Sequence, residues 1–185
     1  METHPSTRNQ LLVSVPATGD DNFEQTVVYV IDHDDDGAIG VVLNRPSGDA
    51  VPGMVDIGVP GASPDVLFTG GPVSPEALIL LGRRRLGSEA HGIAAVGGAV
   101  AVVSASAVQD HTVEGIDVVR VFSGYAGWAP RQLDAELTAG VWVVLDALPD
   151  DVFCAEPGRL WRAVLARQGG RLASVARYPT DPNSN

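Results

Sequence analysis

Two apolar, β-branched runs, Val27–Ile31 and Ile39–Leu43, stand on either side of the short acidic segment Asp32-His33-Asp34-Asp35-Asp36-Gly37. Two strand-like runs separated by turn-forming residues read as a β-hairpin. Neither run alternates with polar residues, so both strands are expected to be covered on both faces, in the middle of a sheet. The second run ends at Asn44-Arg45-Pro46, where proline stops strand pairing and leaves two chemically capable side chains at the strand's end.

Around this hairpin the hydrophobic pattern marks out further elements. Leu11–Pro16 reads as a first strand with one apolar face, and Asp20–Gln25 as a turn or single helical turn. The three prolines and four glycines of residues 47–65 predict a loop, with one helical turn near Met54–Ile57. Short strands are expected at Val66–Phe68, Leu78–Leu81, Ile93–Val96, Ala99–Val103 and Val118–Phe122, with Arg83–Arg85 in an exposed connection. The period then changes. Pro130 suits a helix start, Leu133 and Leu137 stack at i,i+4, Asp134 and Glu136 face outward, and Gly140 stops the helix. Val141–Leu145 returns to strand. A last helix, Pro157–Gln168, puts Leu160, Trp161, Val164 and Leu165 on one stripe and ends at Gly169-Gly170. Residues 1–9 and 179–185 are expected to be flexible ends. Many strands before two late helices make a single α+β domain spanning 1–185, with a curved, mixed or mostly antiparallel sheet flanked by helices.

Charge and composition exclude several functions. The net charge is −11, and a polyanion partner would meet a repulsive field, so nucleic-acid binding is disfavoured. All 12 basic residues are arginine. Without lysine there is no P-loop cation and no Schiff base. One cysteine, Cys154, allows no internal disulfide and no cysteine-rich zinc site; it reads as a half-buried structural thiol. No apolar run is long enough to span a bilayer, and the N-terminus lacks a signal pattern, which makes a cytoplasmic protein the default.

The acidic turn resembles the first half of a calcium loop, but Leu43 occupies position twelve, where a bidentate acid belongs. It therefore reads as a solvated turn, with His33 at its tip and without a pocket. His91 and His111 have no ligand partners at suitable spacing, so neither metal nor cofactor is expected.

Two glycine-rich stretches remain. Gly70-Gly71-Pro72 follows a strand, and Gly124-Tyr125-Ala126-Gly127-Trp128 reads as a turn leading into the Pro130 helix, with Gln132 in its first turn. If they share a cleft with Asn44 and Arg45, Arg45 would pair with a small anionic ligand. Asn44 would orient it, and Tyr125 or Trp128 would cover it. A protein partner is the other expectation. An enzyme, a hydrolase or transferase, would need Glu136 as acid and Arg45 as anion clamp.

In order along the chain, Leu11–Pro16, Asp21–Val28, His33–Pro46, Gly70–Val73, Phe122–Leu137 and Leu160-Trp161-Arg162 together resemble the bacterial YqgE/AlgH proteins. The segments Leu43-Asn44-Arg45-Pro46 and Gly124-Tyr125-Ala126-Gly127-Trp128-Ala129-Pro130 are the specific ones. The resemblance implies one curved-sheet α+β domain, a bacterial cytoplasmic protein and no established catalytic residues. One branch of the family is labelled a transcriptional regulator. The chain departs from the family pattern at Leu80-Leu81-Gly82, where a histidine often stands, and at Cys154, where an acid is more usual. A non-catalytic regulatory or ligand-binding module is the function expected, with a directly DNA-binding regulator or an enzyme as alternatives.

Overall fold

A computed structural model of the chain describes residues 5–14, 25–55, 57–87 and 89–177. The expected turn at Asp20–Gln25, the end of the first strand and the last residues lie wholly or largely outside them. The strands are β1 (Gln10–Ser14), β2 (Val27–Asp34), β3 (Gly37–Val42), β4 (Phe68–Thr69), β5 (Val73–Arg84), β6 (Ile93–Gly97), β7 (Val100–Val103), β8 (Ile116–Trp128) and β9 (Trp142–Asp146). The helices are α1 (Ala105–Gln109), α2 (Gln132–Thr138), α3 (Pro149–Val152), α4 (Pro157–Ala166) and α5 (Gly170–Val175). A single 3-10 turn, Gly53–Val55, interrupts the loop after the hairpin.

The strands form one sheet in the order β6-β7-β5-β8-β3-β2-β1-β9, with β4 attached to β8. Every pairing is antiparallel except β4 with β8. The sheet is strongly curled into a half-barrel. Its curvature is visible in one clasp: Arg8, just ahead of β1, donates from Nη2 to the Ala95 carbonyl at 2.8 Å and from Nε to the Val96 carbonyl at 3.2 Å. Those carbonyls belong to β6, at the opposite end of the strand order. Beside it, Tyr29 of β2 donates its hydroxyl to Asn9 Oδ1 at 2.8 Å. Burial pushes the Tyr29 pKa far up, so this donor keeps its proton.

The hairpin is as expected, but tighter. β2 runs on through Asp34 and only Asp35-Asp36 turn, with Asp34 Oδ1 accepting the Asp36 N–H at 2.9 Å. Ile31 is the extra residue of a bulge. Both faces of the central strands are buried. Leu11, Val13, Val27, Tyr29, Val41 and Leu43 join Phe68, Phe122 and the α4 stripe in the main core. Leu12, Val28, Val30 and Val42 face the other way, against Trp128 and Leu133 of α2. β1, between β2 and β9, is thus buried on both sides, not on one. Trp161 on α4 ties this helix to β1, its indole N–H donating to the Ser14 carbonyl at 2.7 Å.

The largest departures concern strand length. β5 is 12 residues long and β8 is 13, well beyond the expected runs Leu78–Leu81 and Val118–Phe122. Pro75 and the glycines at 124 and 127 look like turn signals, yet the strands continue through them, with Ser74 and Gly124 at positive φ. On β5, Val73 pairs with Tyr125 and Leu78 with Ser123, so three extra residues bulge out over β8. Arg83 and Arg84 are ladder members, opposite Val118 and Ile116, not an exposed connection. Arg83 lies over the Phe153 ring at 5.0 Å and reaches Asp150 at 2.7 Å. The sequence pattern does not announce α1, α3 or α5; each is six residues or fewer, too short for a hydrophobic period to register.

Candidate functional site

β8 is the spine of the candidate site. Its first ten residues pair with β5 and its last three with β3. β4 fits beside it, and the Gly70 N–H donates to the Ser123 carbonyl at 2.8 Å while the Gly70 carbonyl accepts from Val42 N at 2.8 Å. The two glycine stretches therefore do meet. A Cβ on Gly71 would stand 2.2 Å from the Tyr125 carbonyl carbon, and one on Gly124 would stand 2.5 Å from the Gly71 carbonyl oxygen. The glycines serve backbone-to-backbone contact.

Asn44 and Arg45 lie alongside: the Arg45 carbonyl accepts the Thr69 N–H at 2.9 Å. Their side chains turn the other way. Asn44 Oδ1 accepts the Val27 N–H at 3.1 Å, and its Nδ2 donates to the Gln25 carbonyl at 2.7 Å. The amide thus acts as an extra backbone unit that pins the entry to β2. Arg45 Nη2 donates to Thr26 Oγ1 at 3.0 Å in the same segment.

Trp128 and Gln132 belong to a different cluster. Glu136 Oε2 accepts two indole N–H groups, from Trp128 at 2.9 Å and Trp142 at 2.7 Å. Its Oε1 accepts from Gln132 Nε2 at 2.9 Å, and Gln132 Oε1 accepts the Ala129 N–H at 3.1 Å. The two indole rings meet edge to face, 6.3 Å apart. Glu136 accordingly does not face outward. It joins the end of β8, α2 and the start of β9. A carboxylate among indole donors leaves a trace in sequence only as tryptophans on either side of a short helix.

His33 also departs from expectation. Because β2 continues through it, the ring is carried inward and is 8% exposed. The Thr7 N–H donates to His33 Nδ1 at 3.1 Å, with Thr7 Oγ1 at 3.0 Å from the same nitrogen. Nε2 faces Asp134 Oδ1 at 3.7 Å. Hydroxyl, imidazole and carboxylate in line resemble a hydrolase triad, but Thr7 is only 3% exposed and its own amide occupies Nδ1. The arrangement holds the N-terminal segment and cannot present a nucleophile.

Arg120, hidden in the apolar run Val118–Phe122, is 2% exposed. Nη1 donates to the carbonyls of Val152 at 3.1 Å and Cys154 at 3.0 Å, and Nη2 to that of Ser63 at 2.6 Å. The guanidinium lies 4.4 Å from the Phe68 ring centroid. Burial pushes its pKa down to about 10, partly offset by Cys154, so it remains a cation at neutral pH. It bolts the 57–65 loop and the end of α3 to β8. A polar cleft of about 440 Å³ opens beside that loop, lined in part by Ile57, Pro60, Arg85, Glu114 and Asp117. Arg85 Nε is bonded to Asp117 Oδ1 at 2.8 Å. The candidate residues line none of this cleft, which adjoins the N-terminal end of β8, away from the glycines.

What faces outward around the glycine contact combines apolar residues with the exposed charges of Glu76 and Arg131. Pro72, Val73, Pro75, Gly127, Ala129 and Pro130 are exposed, and Tyr125 is partly buried, packed against the main core. The Tyr125 ring and the Val73 side chain both lie within 4 Å of where a Gly127 Cβ would stand.

The AlgH-like family model matches residues 11–173, a span that includes β8 and the glycine contact. The chain belongs to the AlgH-like family. Its curated relatives include a UPF0301 protein of Streptomyces coelicolor, 42% identical over 97% of this chain and 96% of that one. A UPF0301 protein of Thermobifida fusca is 41% identical over the full length of both. Among solved structures, a Corynebacterium diphtheriae protein superposes with a TM-score of 0.82 at 28% identity, covering 96% of this chain and 95% of that one. The AlgH protein of Pseudomonas aeruginosa superposes at 0.68, also at 28% identity, over 97% and 98%. The AlgH-like fold thus accounts for the curled sheet and its helices. No helix among the described residues is long and apolar enough to cross a membrane.

Proposed function

We propose that this AlgH-like chain is a non-catalytic regulatory module that binds a protein partner. The observation that carries this reading is the uncharged strip of Val73, Tyr125 and Gly127, edged by Pro72 and Pro75. Val73 and Gly127 are exposed and Tyr125 partly so, on a protein of net charge −11, with Glu76 of the β5 bulge the exposed charge beside them. Aromatic and apolar groups depleted of charge are what the centre of a protein interface presents. The polar side chains nearby favour a partner over a small anion, because Asn44, Gln132 and Glu136 are bound internally and Arg45 is engaged with Thr26. The same commitments argue against Glu136 as a general acid, and the overall charge argues against a direct nucleic-acid contact.

A photo-crosslinking phenylalanine analogue placed at position 125 in growing cells tests the reading. Discrete adducts are expected there, lost on adding Val73→Glu and absent when the analogue replaces the exposed Leu86. No adduct at 125, together with thermal stabilisation by an anionic metabolite that Arg45→Ala abolishes, would return the function to small-ligand binding.

A further inference from the structure

We propose that the outer edge of β9 is a docking site for an extended, basic segment of a partner protein, which pairs with it as a further strand. β9 ends the strand order, and its ladder fixes which backbone groups face outward. Ser14 donates its N–H to the Thr26 carbonyl at 3.0 Å, so the backbone groups of Leu12 and Ser14 face β2 and those of Leu11 and Val13 face β9. Their partners there are Leu145 and Val143. Trp142, Val144 and Asp146 therefore turn their N–H and carbonyl groups away from the sheet. The Asp146 carbonyl is met by Arg167 Nη2 at 2.7 Å; among the described residues nothing meets the outward groups of Trp142 or Val144.

The two ends of the sheet differ in this respect. At β6 the Ala95 and Val96 carbonyls are taken by Arg8, and the Asn9 side chain stands against Gly97, so the N-terminal segment covers that edge. Proteins guard open edges with charges, prolines or bulges. From Trp142 to Leu145 β9 has no charged residue, no proline and an unbroken register with β1. Its faces are occupied, Val143 and Leu145 against the main core, Trp142 and Val144 against the cluster of Trp128 and Leu133. The backbone edge is what it has left to offer. Just past it stands Leu148, 51% exposed, an apolar contact for an added strand.

Charge selects the occupant. Asp146 is exposed at the end of β9, and no cation among the described residues pairs with its carboxylate. A lysine or arginine opposite it on the incoming strand makes a cross-strand ion pair. A second copy of the chain fits less well. Pairing β9 with itself about Val144 sets Trp142, not a cation, opposite Asp146, and brings together two bodies of charge −11. The edge lies four strands from β8 in the sheet order, so it is a surface separate from the Val73 and Tyr125 strip.

The probe is a peptide blocked at both ends, Arg-Val-Thr-Val-Arg, whose pattern is the same in both directions, so either strand orientation brings an arginine to Asp146. Added at saturation to the full chain, it is expected to slow amide hydrogen exchange at Val144 by about fivefold or more, the effect of one hydrogen bond. Labelled, the same peptide reports its affinity by fluorescence anisotropy. Val144→Pro removes an outward N–H and spares the ladder with β1, and should weaken binding by about fivefold or more. Asp146→Arg should reverse the preference, so that Glu-Val-Thr-Val-Glu binds more tightly than the arginine peptide; this variant decides the matter if the proline variant does not fold. No binding, binding that leaves Val144 exchange unchanged, or a preference that survives Asp146→Arg overturns the proposal. Val144 already protected without peptide, with a dimer in sedimentation, overturns it in favour of a second copy.

Discussion

Arg120→Ala is expected to lower the unfolding free energy by about 3–5 kcal/mol, a large part of the margin of an ordinary domain. The loss has three sources. Truncation leaves the carbonyls of Ser63, Val152 and Cys154 without their charged donor, opens a cavity, and removes the cation from the Phe68 face. Arg120→Lys should recover only part of it, because one ammonium cannot reach carbonyls that a planar fork contacts from two nitrogens. Urea titration checks both, with a lowered midpoint and an unchanged slope marking a loss of stability without a change of fold. A stability for Arg120→Ala within about 0.5 kcal/mol of wild type would show that the guanidinium is not the bolt described.

The second large effect falls on Gly71. An added Cβ would sit within 2.3 Å of the Tyr125 carbonyl carbon and oxygen and of the Ala126 nitrogen. Those are backbone atoms of β8, held by β5 on one side and by β3 on the other, so they cannot retreat as a side chain would. Gly71→Ala should cost about 3 kcal/mol or more, with partial separation of β4 from β8. Gly158 is the contrasting case. It lies in α4 with nothing within 4 Å of where a methyl group would stand, and Gly158→Ala should stabilise by about 0.5–1 kcal/mol. Thermal melts of the pair decide the matter, and equal shifts would contradict the close backbone approach.

The contrast between these glycines explains what could be read from the chain and what could not. The hairpin, the β6–β7 pair and α4 are legible because each carries its own local pattern: β-branched runs, a turn, or a 3.6-residue stripe. The path of β8 is not, because Gly124 looks the same whether it bends a chain or admits another backbone. Only the presence of Gly71 across the gap distinguishes the two. His33 is similar. Among three aspartates it reads as solvated, and its burial depends on Thr7 and Asp134, which lie 26 residues before it and far beyond it in the chain. Glu136 fits an outward helical position, and the indoles that claim it come from two different strands. The segments that carry the family resemblance include Asn44, Gln132 and Glu136, whose polar groups the structure gives a part in the fold.

That last point is the centre of the account, and equilibrium unfolding tests it most directly. Asn44→Ala removes the amide that holds both Gln25 and Val27; Glu136→Ala strands two indole donors. Each should lose about 2 kcal/mol or more of stability, whereas Val73→Glu on the exposed strip should stay within about 0.5 kcal/mol of wild type. If Asn44→Ala and Glu136→Ala unfold at the wild-type denaturant concentration, their side chains are not structural, and the binding site belongs with them instead.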